Sequence, residues 1–161
     1  MLIREAIDSD WVGIWPIWQA IARARDTIPW DPSMSSAQAR DYWMRLSPGH
    51  VYTALSDEGT VVGSAQLRPN YGPASRIANA TYIVDPALAG RGIGRRLVQH
   101  TLDVAAAEGF RAMVFNAVVS TNVGAVHLYQ SLGFTILATV PEGFDHPVEG
   151  PVGLHIMYRQ L

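Results

Sequence analysis

Glycines at alternate positions interrupt a stretch that leads from an apolar segment into a helical pattern. The residues of this loop are Ala89, Gly90, Arg91, Gly92, Ile93, Gly94 and Arg95. Glycines leave backbone N–H groups uncovered, and the first turn of a helix adds unpaired donors and the positive end of its dipole. The pattern predicts a cradle for a phosphate or pyrophosphate. It is not a P-loop, which ends in Gly-Lys-Ser/Thr, nor a dinucleotide fingerprint, which needs a third glycine where alanine or arginine stands here.

A second motif lies downstream, with the spacing Asn-x-x-Ala-x-x-x-Tyr-x-x-x-Gly-Phe. Its residues are Asn122, Ala125, Tyr129, Gly133 and Phe134. Together the two motifs resemble those of the GNAT acetyltransferases. The resemblance implies that the glycine loop holds the pyrophosphate of acetyl-CoA, the cosubstrate. The family usually has arginine or glutamine where this chain has Ala89, but backbone groups make the phosphate contacts and neighbouring arginines supply positive charge.

The resemblance also implies how the reaction runs. Family members transfer acetyl to an amine by direct attack, so the protein must position two substrates and manage protons. Backbone N–H groups around Ile83 and Val84, on the strand before the loop, would bind the cosubstrate and stabilise the developing oxyanion. Tyr129 occupies the family's acid position and would protonate the departing thiolate, and Asn122 would join it in contacting acetyl-CoA. The alternative for Tyr129 is a core tyrosine spaced for helix packing.

An asparagine stands where many relatives have a glutamate, five residues before Val84. That residue is Asn79, and an amide cannot accept a proton at neutral pH. The proton of the attacking amine would leave through a water relay, or the amine would arrive partly neutral. An α-amino group with a pKa of about 7.7–8.0 is neutral roughly a tenth of the time at pH 7, whereas a lysine ammonium near 10.4 is neutral below about a thousandth. Unassisted attack therefore favours an α-amino group.

The middle of the chain also resembles a narrower fungal subgroup that acetylates proline analogues such as L-azetidine-2-carboxylate. The resemblance covers residues 79–86 and 115–122 and implies that Asn79 and Asn116 hold the substrate and orient its amine. The secondary amines of those substrates are more basic than the α-amino group considered above, so a smaller fraction of them is neutral at pH 7, and this counts against unassisted attack. The alternative is that both asparagines satisfy backbone groups at a sheet bulge.

Two further residues are candidates for the acceptor side. Trp30 lies in a proline-rich loop and is expected to meet a ligand, whereas the tryptophans at helical spacing before it are expected to form one buried helix face. His155 lies within a predicted strand and could act as a base or through water; the alternative is a satisfied core or surface histidine. His100, His127 and His146 show no metal-ligand spacing, so we expect no metal site.

Composition narrows the class of protein. The 161 residues are 48% hydrophobic, which suits one domain, an N-acetyltransferase domain over residues 1–161. The net charge of -2 argues against nucleic acid as a partner. The chain has no cysteine, which excludes a disulfide, a thiolate metal site and a cysteine nucleophile. We see no signal peptide and no membrane-spanning run, so we expect a cytoplasmic protein without a membrane partner.

Hydrophobic periodicity and turn signals predict an α/β (α+β) fold with strands and helices interspersed. Predicted strands cover residues 2–6, 50–56, 60–68, 77–84, 112–119, 134–140 and 152–159. Predicted helices begin after Asp8 or Ser9 and run to Arg25, with Pro16 as a kink or first turn, and then cover 36–45, 93–108 and 122–132. The resemblance implies a mixed, mostly antiparallel sheet of six to seven strands flanked by about four helices.

These observations predict an acetyl-CoA-dependent N-acetyltransferase acting on a small-molecule amine, either an amino acid or an amino-acid analogue. Two alternatives stay open: a protein or peptide N-acetyltransferase, and a regulatory module that binds CoA without turnover. A homodimer is possible because dimers are common in the family.

Overall fold

The computed structural model describes residues 1–45 and 47–161. Seven strands run through these ranges: β1 (Leu2–Glu5), β2 (His50–Leu55), β3 (Val61–Pro69), β4 (Ile77–Val84), β5 (Ala112–Val119), β6 (Thr135–His146) and β7 (Gly150–Gln160). The helices are α1 (Trp11–Ala24), α2 (Ser36–Met44), α3 (Ile93–Ala107) and α4 (Val123–Ser131). The α/β fold expected from the sequence is confirmed.

One mixed sheet contains all of these strands, in the order β1-β2-β3-β4-β5-β7-β6. Neighbouring strands are antiparallel except for β4 and β5. These two run parallel and pair only through Ile77 with Ala112 and Ala78 with Met113. Beyond this point they part, although β4 continues to Val84. The sheet is therefore split at its centre, and one edge of each strand has no partner strand there.

Alternate residues of the central strands face two helical layers. One face packs against α3, where Leu97 is buried with Ala65. The other packs against α1 and α2, where Trp18 and Trp43 are buried with Ile83. Since side chains alternate along a strand, odd-numbered residues of β4 share the α1/α2 face and even-numbered residues share the α3 face.

The start of α1 differs from the prediction. Asp8 and Ser9, the expected N-caps, lie instead in a short 3-10 helix that ends at Asp10. The buried carboxylate of Asp10 accepts hydrogen bonds from the backbone N–H of Ile7 at 2.9 Å and from the guanidinium of Arg4 at 2.7 and 2.9 Å. The ion pair between Asp10 and Arg4, on β1, holds this end of the helix. The sequence prediction used only neighbouring residues, so it could not include a partner on another strand.

Pro16 lies inside α1 and does not end it. Its missing N–H leaves the carbonyl of Val12 without its intrahelical donor, and Val12 lies on the exposed side of the helix. No helix in the described ranges is both long and apolar enough to cross a membrane.

The final hairpin is longer than predicted. The sequence indicated that the sixth strand ends at Val140, but β6 continues to His146. By residue type, a turn would be expected at Pro141, Glu142 and Gly143. In the structure these residues form an irregularity within β6, where the pairing with β7 shifts between Val140 and Phe144. Glu142 has a φ of 51° there.

Candidate active site

A cavity of about 900 Å3 opens where β4 and β5 part. The predicted site residues that line it are Trp30, Asn79, Val84, Ala89, Gly90, Gly92, Ile93, Gly94, Arg95, Asn116, Asn122 and Tyr129. Its volume lies within the range of small-molecule sites, about 300–1,000 Å3. The structure thus brings most of the predicted site together, and it leaves Ile83, Arg91 and His155 outside the cavity wall.

The glycine loop forms one end of this cavity. Gly90 and Gly92 have φ values of 76° and 79°, in the left-handed region that favours glycine. A Cβ built on either residue would meet no protein atom within 4 Å, so both present open backbone. Gly92 caps α3, and the N–H groups of the helix's first turn have no intrahelical acceptor. The loop therefore fits the pyrophosphate of a coenzyme.

Arg95 also lines this end, but its guanidinium is engaged. It donates to the hydroxyl of Ser131, on α4, at 2.6 Å. Gly94 brings the same helices together, since a Cβ there would lie 3.5 Å from Leu128. Arg95 thus links α3 to α4 beside the cradle and adds positive charge to it.

The backbone of β4 contributes unpaired N–H groups to the split. Asp85 donates to the carbonyl of Val62, and Asn70 donates to the carbonyl of Ile77, which shows that odd-numbered residues of β4 pair with β3. Pairing alternates along an antiparallel ladder, so the N–H groups of Tyr82 and Val84 point the opposite way, into the split. Of the two residues predicted to supply N–H donors to the oxyanion, Val84 directs its N–H into the split. The N–H of Ile83 points towards β3 instead.

Tyr129 extends from α4 into an aromatic cluster at the base of the split. Its ring lies 4.5 Å from Phe115 and 6.3 Å from Tyr82, centroid to centroid. Burial raises the pKa of Tyr129 above its usual value, so the phenol stays protonated at neutral pH. Even an ordinary tyrosine, with a pKa of about 10, is a weaker acid than a thiol, with a pKa of about 8.5. Complete transfer of the proton from the phenol to a thiolate therefore costs at least about 2 kcal/mol. Tyr129 is therefore suited to donating a hydrogen bond to a departing thiolate.

Asn79 lies at the vertex of the split. Its side chain is 5% exposed, and its amide Nδ2 donates to the carbonyl of Val114, on β5, at 2.7 Å. This bond forms just where backbone pairing between the strands ends. A carboxylate could not make it, because it has no proton to donate.

Asn116 lies at the irregularity in β5, where pairing with β7 shifts between Phe115 and Val118. It is exposed and forms a reciprocal amide pair with Asn70: Asn116 Nδ2 donates at 2.7 Å, and Asn70 Nδ2 donates at 3.1 Å. Both predicted asparagines therefore have structural partners while also lining the cavity. The sequence did not indicate Asn70, since it lies 46 residues away.

Trp30 forms part of the cavity wall. Its ring stacks on that of Trp18 with a centroid distance of 4.6 Å and an interplanar angle of 9°, and Trp43 meets it edge-on at 5.5 Å. Trp18 and Trp43 are buried in the core under α1 and α2. The core tryptophans thus hold Trp30 in position against the cavity.

Asn122 precedes α4 and caps it. Its side-chain oxygen accepts from the backbone N–H of Ala125 at 3.2 Å. His155 lies on β7, where its ring pairs with the hydroxyl of Thr139 at 2.8 Å. This is the satisfied histidine that the sequence left as the alternative. No group of three or more potential ligand side chains comes together for a metal within the described ranges.

Among the cavity residues that sequence reasoning missed are two polar side chains. Arg68, on β3, and Tyr42, on α2, both line the wall near Trp30. Arg68 is the register partner of Asn79. Arg68 and Asn79 are close because β3 pairs with β4 in this register, and a local sequence motif does not predict the register.

The cradle and the unpaired strand edge leading away from it define a site for an acylated coenzyme A. The sequence matches the model of the Acetyltransferase (GNAT) family over residues 12–134. The chain belongs to this family.

Two curated relatives illustrate the sequence similarity. N-acetyltransferase aca1 of Schizosaccharomyces pombe is 29% identical over 68% of this chain and 59% of its own length. The similarity to this fungal protein agrees with the resemblance to a fungal subgroup that the sequence showed. L-amino acid N-acyltransferase MnaT of Escherichia coli is 30% identical over 88% of this chain and 84% of its own length. The chain therefore spans about three fifths of the first relative and most of the second.

Two solved structures show the same fold. A GCN5-related N-acetyltransferase from Kribbella flavida has a TM-score of 0.95 and 47% identity, covering 99% of this chain and 97% of its own. The acetyltransferase yncA of Salmonella typhimurium, solved with acetyl-CoA, has a TM-score of 0.87 and 25% identity, covering 100% and 94%.

Proposed function

We propose that this protein transfers acetyl from acetyl-CoA to the amine of a small amino acid or amino-acid analogue. The observation that carries the proposal is the single cavity that joins the glycine cradle to an acceptor end lined by Trp30 and Asn79. The similarity to an L-amino acid N-acyltransferase supports the same substrate class. The aromatic wall at the acceptor end favours a small molecule over an extended peptide.

The chain's own groups account for the main steps. Acetyl-CoA supplies an activated acetyl thioester. The N–H groups of Tyr82 and Val84 are positioned to donate to the carbonyl oxygen as negative charge develops on it. The C–N bond forms as the C–S bond breaks. Tyr129 donates a hydrogen bond to the leaving sulfur, and the proton that the attacking nitrogen loses passes through water to the solvent or to the thiolate. Tyr82 itself is held by its phenol oxygen, 2.7 Å from the hydroxyl of Thr101.

The proton of the amine leaves without help from Asn79. Its amide is bonded to Val114 and has no basic atom. The amine therefore reacts from its neutral fraction or passes its proton to water. An α-amino group suits this requirement better than a lysine ammonium, because its pKa is lower: by more than about two units at a peptide N-terminus, and by a smaller margin in a free amino acid, whose own carboxylate stabilises the ammonium.

Thiol release from acetyl-CoA with a panel of amines tests the proposal. The panel holds α-amino acids, azetidine-2-carboxylate and proline analogues, aromatic amines, polyamines and lysine peptides. Turnover on amino acids supports the proposal, and turnover confined to peptides overturns it. Turnover on the cyclic imino acids would assign Asn79 and Asn116 to the positioning of substrate.

We infer that the protein forms a homodimer through β6. This edge strand has 12 residues, of which ten are exposed, and they include the apolar side chains of Ile136, Leu137 and Val140. A long apolar edge presents unpaired backbone groups to a second strand, and a second copy offers the same strand. Light scattering at several concentrations tests this, with a purely monomeric mass as the contrary result.

Two sequence predictions belong to the same proposal. We take residues 1–161 as one N-acetyltransferase domain, and we expect the protein to act in the cytoplasm. Cell fractionation with an antibody against the chain tests the location.

A further inference from the structure

Arg68 occupies a position in the cavity that the reaction described above does not use. It lies on β3 directly opposite Asn79 on β4, and both residues line the acceptor end. Directly opposed residues of an antiparallel pair project their side chains to the same face. For Arg68 this is the α1/α2 face, where Trp30 and Tyr42 complete the wall.

A buried glutamine holds the guanidinium of Arg68 in place. Gln66 is 1% exposed, and its Nε2 donates to the carbonyls of Trp43 at 2.8 Å and Tyr42 at 3.3 Å. With its NH2 group fixed on α2, its oxygen is left to accept from Arg68 at 3.1 Å. The arginine is thus oriented by the end of α2 through a neutral group.

This contact leaves the charge of Arg68 without a counterion. Within the part of the chain that the structure describes, no carboxylate forms an ion pair with it. One hydrogen bond to Gln66 uses one of the five N–H donors of a guanidinium. The remaining donors match the planar, bidentate geometry of a carboxylate.

The position of Arg68 along the sheet separates it from the coenzyme cradle. Asn79, its partner, precedes the end of β4 at Val84 by five residues, which places Arg68 roughly 16 Å along the strand from the end that leads to the loop. Phosphate groups bound at the glycines are therefore not its counterion. Asp26 and Asp85 line the same cavity, but neither forms an ion pair with Arg68 among the described residues, so the carboxylate of an acceptor is the anion that we expect to bind there.

We propose that Arg68 binds the carboxylate of the acceptor and so selects free α-amino acids over amines, amides and peptide N-termini with a distant carboxylate. The side chain of the amino acid would lie against Trp30 and Tyr42, which favours apolar and aromatic amino acids. This inference rests on the proposed function, since it names the acceptor of the same reaction.

Matched substrates test the role of Arg68. Initial rates are measured for L-methionine and L-phenylalanine and for the corresponding amides, which keep the amine and the side chain but lack the carboxylate. We expect the wild-type protein to prefer the acids. Arg68→Met should lower kcat/KM for the acids about 10- to 100-fold, mostly through KM, because a hydrogen-bonded charge is lost. It should leave the amides nearly unchanged, and Arg68→Lys should restore part of the loss.

The control is Arg76→Met, because Arg76 is exposed and lies outside the cavity; it should change neither substrate class. Equal loss on acids and amides in Arg68→Met, or no preference for acids in the wild type, would overturn the inference. Silence on every amine would overturn the proposed function instead. Calorimetric binding of L-phenylalanine to the acetyl-CoA-free protein would then decide the role of Arg68 alone: binding lost in Arg68→Met supports it, and binding retained refutes it.

Discussion

Asn79 joins the two strands whose separation creates the active site. Its amide donates to the carbonyl of Val114 at 2.7 Å, one residue beyond the last backbone pair between β4 and β5. The bond closes the narrow end of the split, and the proposed coenzyme site lies at the wide end. A residue expected from the sequence to serve chemistry thus also serves as a structural tie.

Asn79→Asp should therefore destabilise the protein. It keeps the shape of the side chain but faces the Val114 carbonyl with an acceptor, and we expect a loss of about 1–3 kcal/mol in the free energy of unfolding at pH 7. A carboxyl in this position would have a raised pKa, so the loss should shrink as the pH falls towards 4 and a protonated carboxyl can donate again. Urea unfolding at pH 7 and pH 4.5 measures both effects. Equal stability of variant and wild type at pH 7 would show that the bond contributes nothing.

Tyr129→Phe should slow turnover without weakening acetyl-CoA binding. The phenol contributes only a hydrogen bond to the leaving sulfur, and such proton-donating groups are typically worth about 10²- to 10⁴-fold; we expect the lower end because the pKa gap opposes full transfer. Steady-state kinetics and calorimetry separate the two quantities. Tyr71→Phe is the control, since Tyr71 is 73% exposed. An unchanged kcat would remove Tyr129 from the mechanism.

Gly92→Val should abolish acetyl-CoA binding. A side chain at this position would project into the open cradle and would force a branched residue into a φ of 79°. Gly59→Val separates the two effects, because Gly59 has a similar φ of 82° and equally open surroundings but lies in the β2–β3 turn. We expect both variants to lose stability and only Gly92→Val to lose binding in calorimetry. Retained affinity would mean that the loop is not the cradle.

His50 should stabilise the fold more in acid than in base. Burial alone would lower its pKa, but its hydrogen bond to Glu5 and the charges of Glu108 and Glu5 outweigh burial and raise the pKa; its ring nitrogens lie 3.1 Å from Glu5 and 2.7 Å from Glu108. The stabilisation is complete below the unfolded pKa near 6.5 and is lost as the pH rises through the higher folded value.

Because this site is partly exposed, solvent screening limits the gain to about 1 kcal/mol or less. Thermal unfolding of wild type and His50→Gln between pH 5.5 and 8.5 measures it. The difference in Tm should be largest at pH 5.5. A difference independent of pH would contradict the assignment.

Local signals were sufficient for the parts of the structure that depend on neighbours in sequence. The bounds of β4 at residues 77–84 and of β5 at residues 112–119 were predicted from apolar runs between turn signals. The glycine loop was predicted because an open backbone before a helix has a distinctive composition. The prediction ended the sixth strand at Val140, whereas pairing with β7 carries the strand through the turn-like residues that follow.

The remaining features depend on contacts that no local pattern contains. Arg68 meets Asn79 through the register of β3 and β4, and Asn116 meets Asn70 across 46 residues. The backbone direction of Ile83 and Val84 likewise follows from which edge of β4 pairs with β3. A motif identifies residue types that suit a reaction, whereas strand register decides which of them share a wall.

The stack of Trp18 on Trp30 gives the protein an optical reporter of its own acceptor site. Of the five tryptophans in the chain, Trp30 lines the cavity, and the ring of Trp18 stacks on it at 4.6 Å in a nearly parallel plane. Two indoles at this distance and angle couple electronically, so a molecule that contacts Trp30 should alter both the emission and the near-ultraviolet circular dichroism of the pair. Acceptor candidates can therefore be ranked by spectroscopic titration of the unlabelled protein, without acetyl-CoA and without turnover.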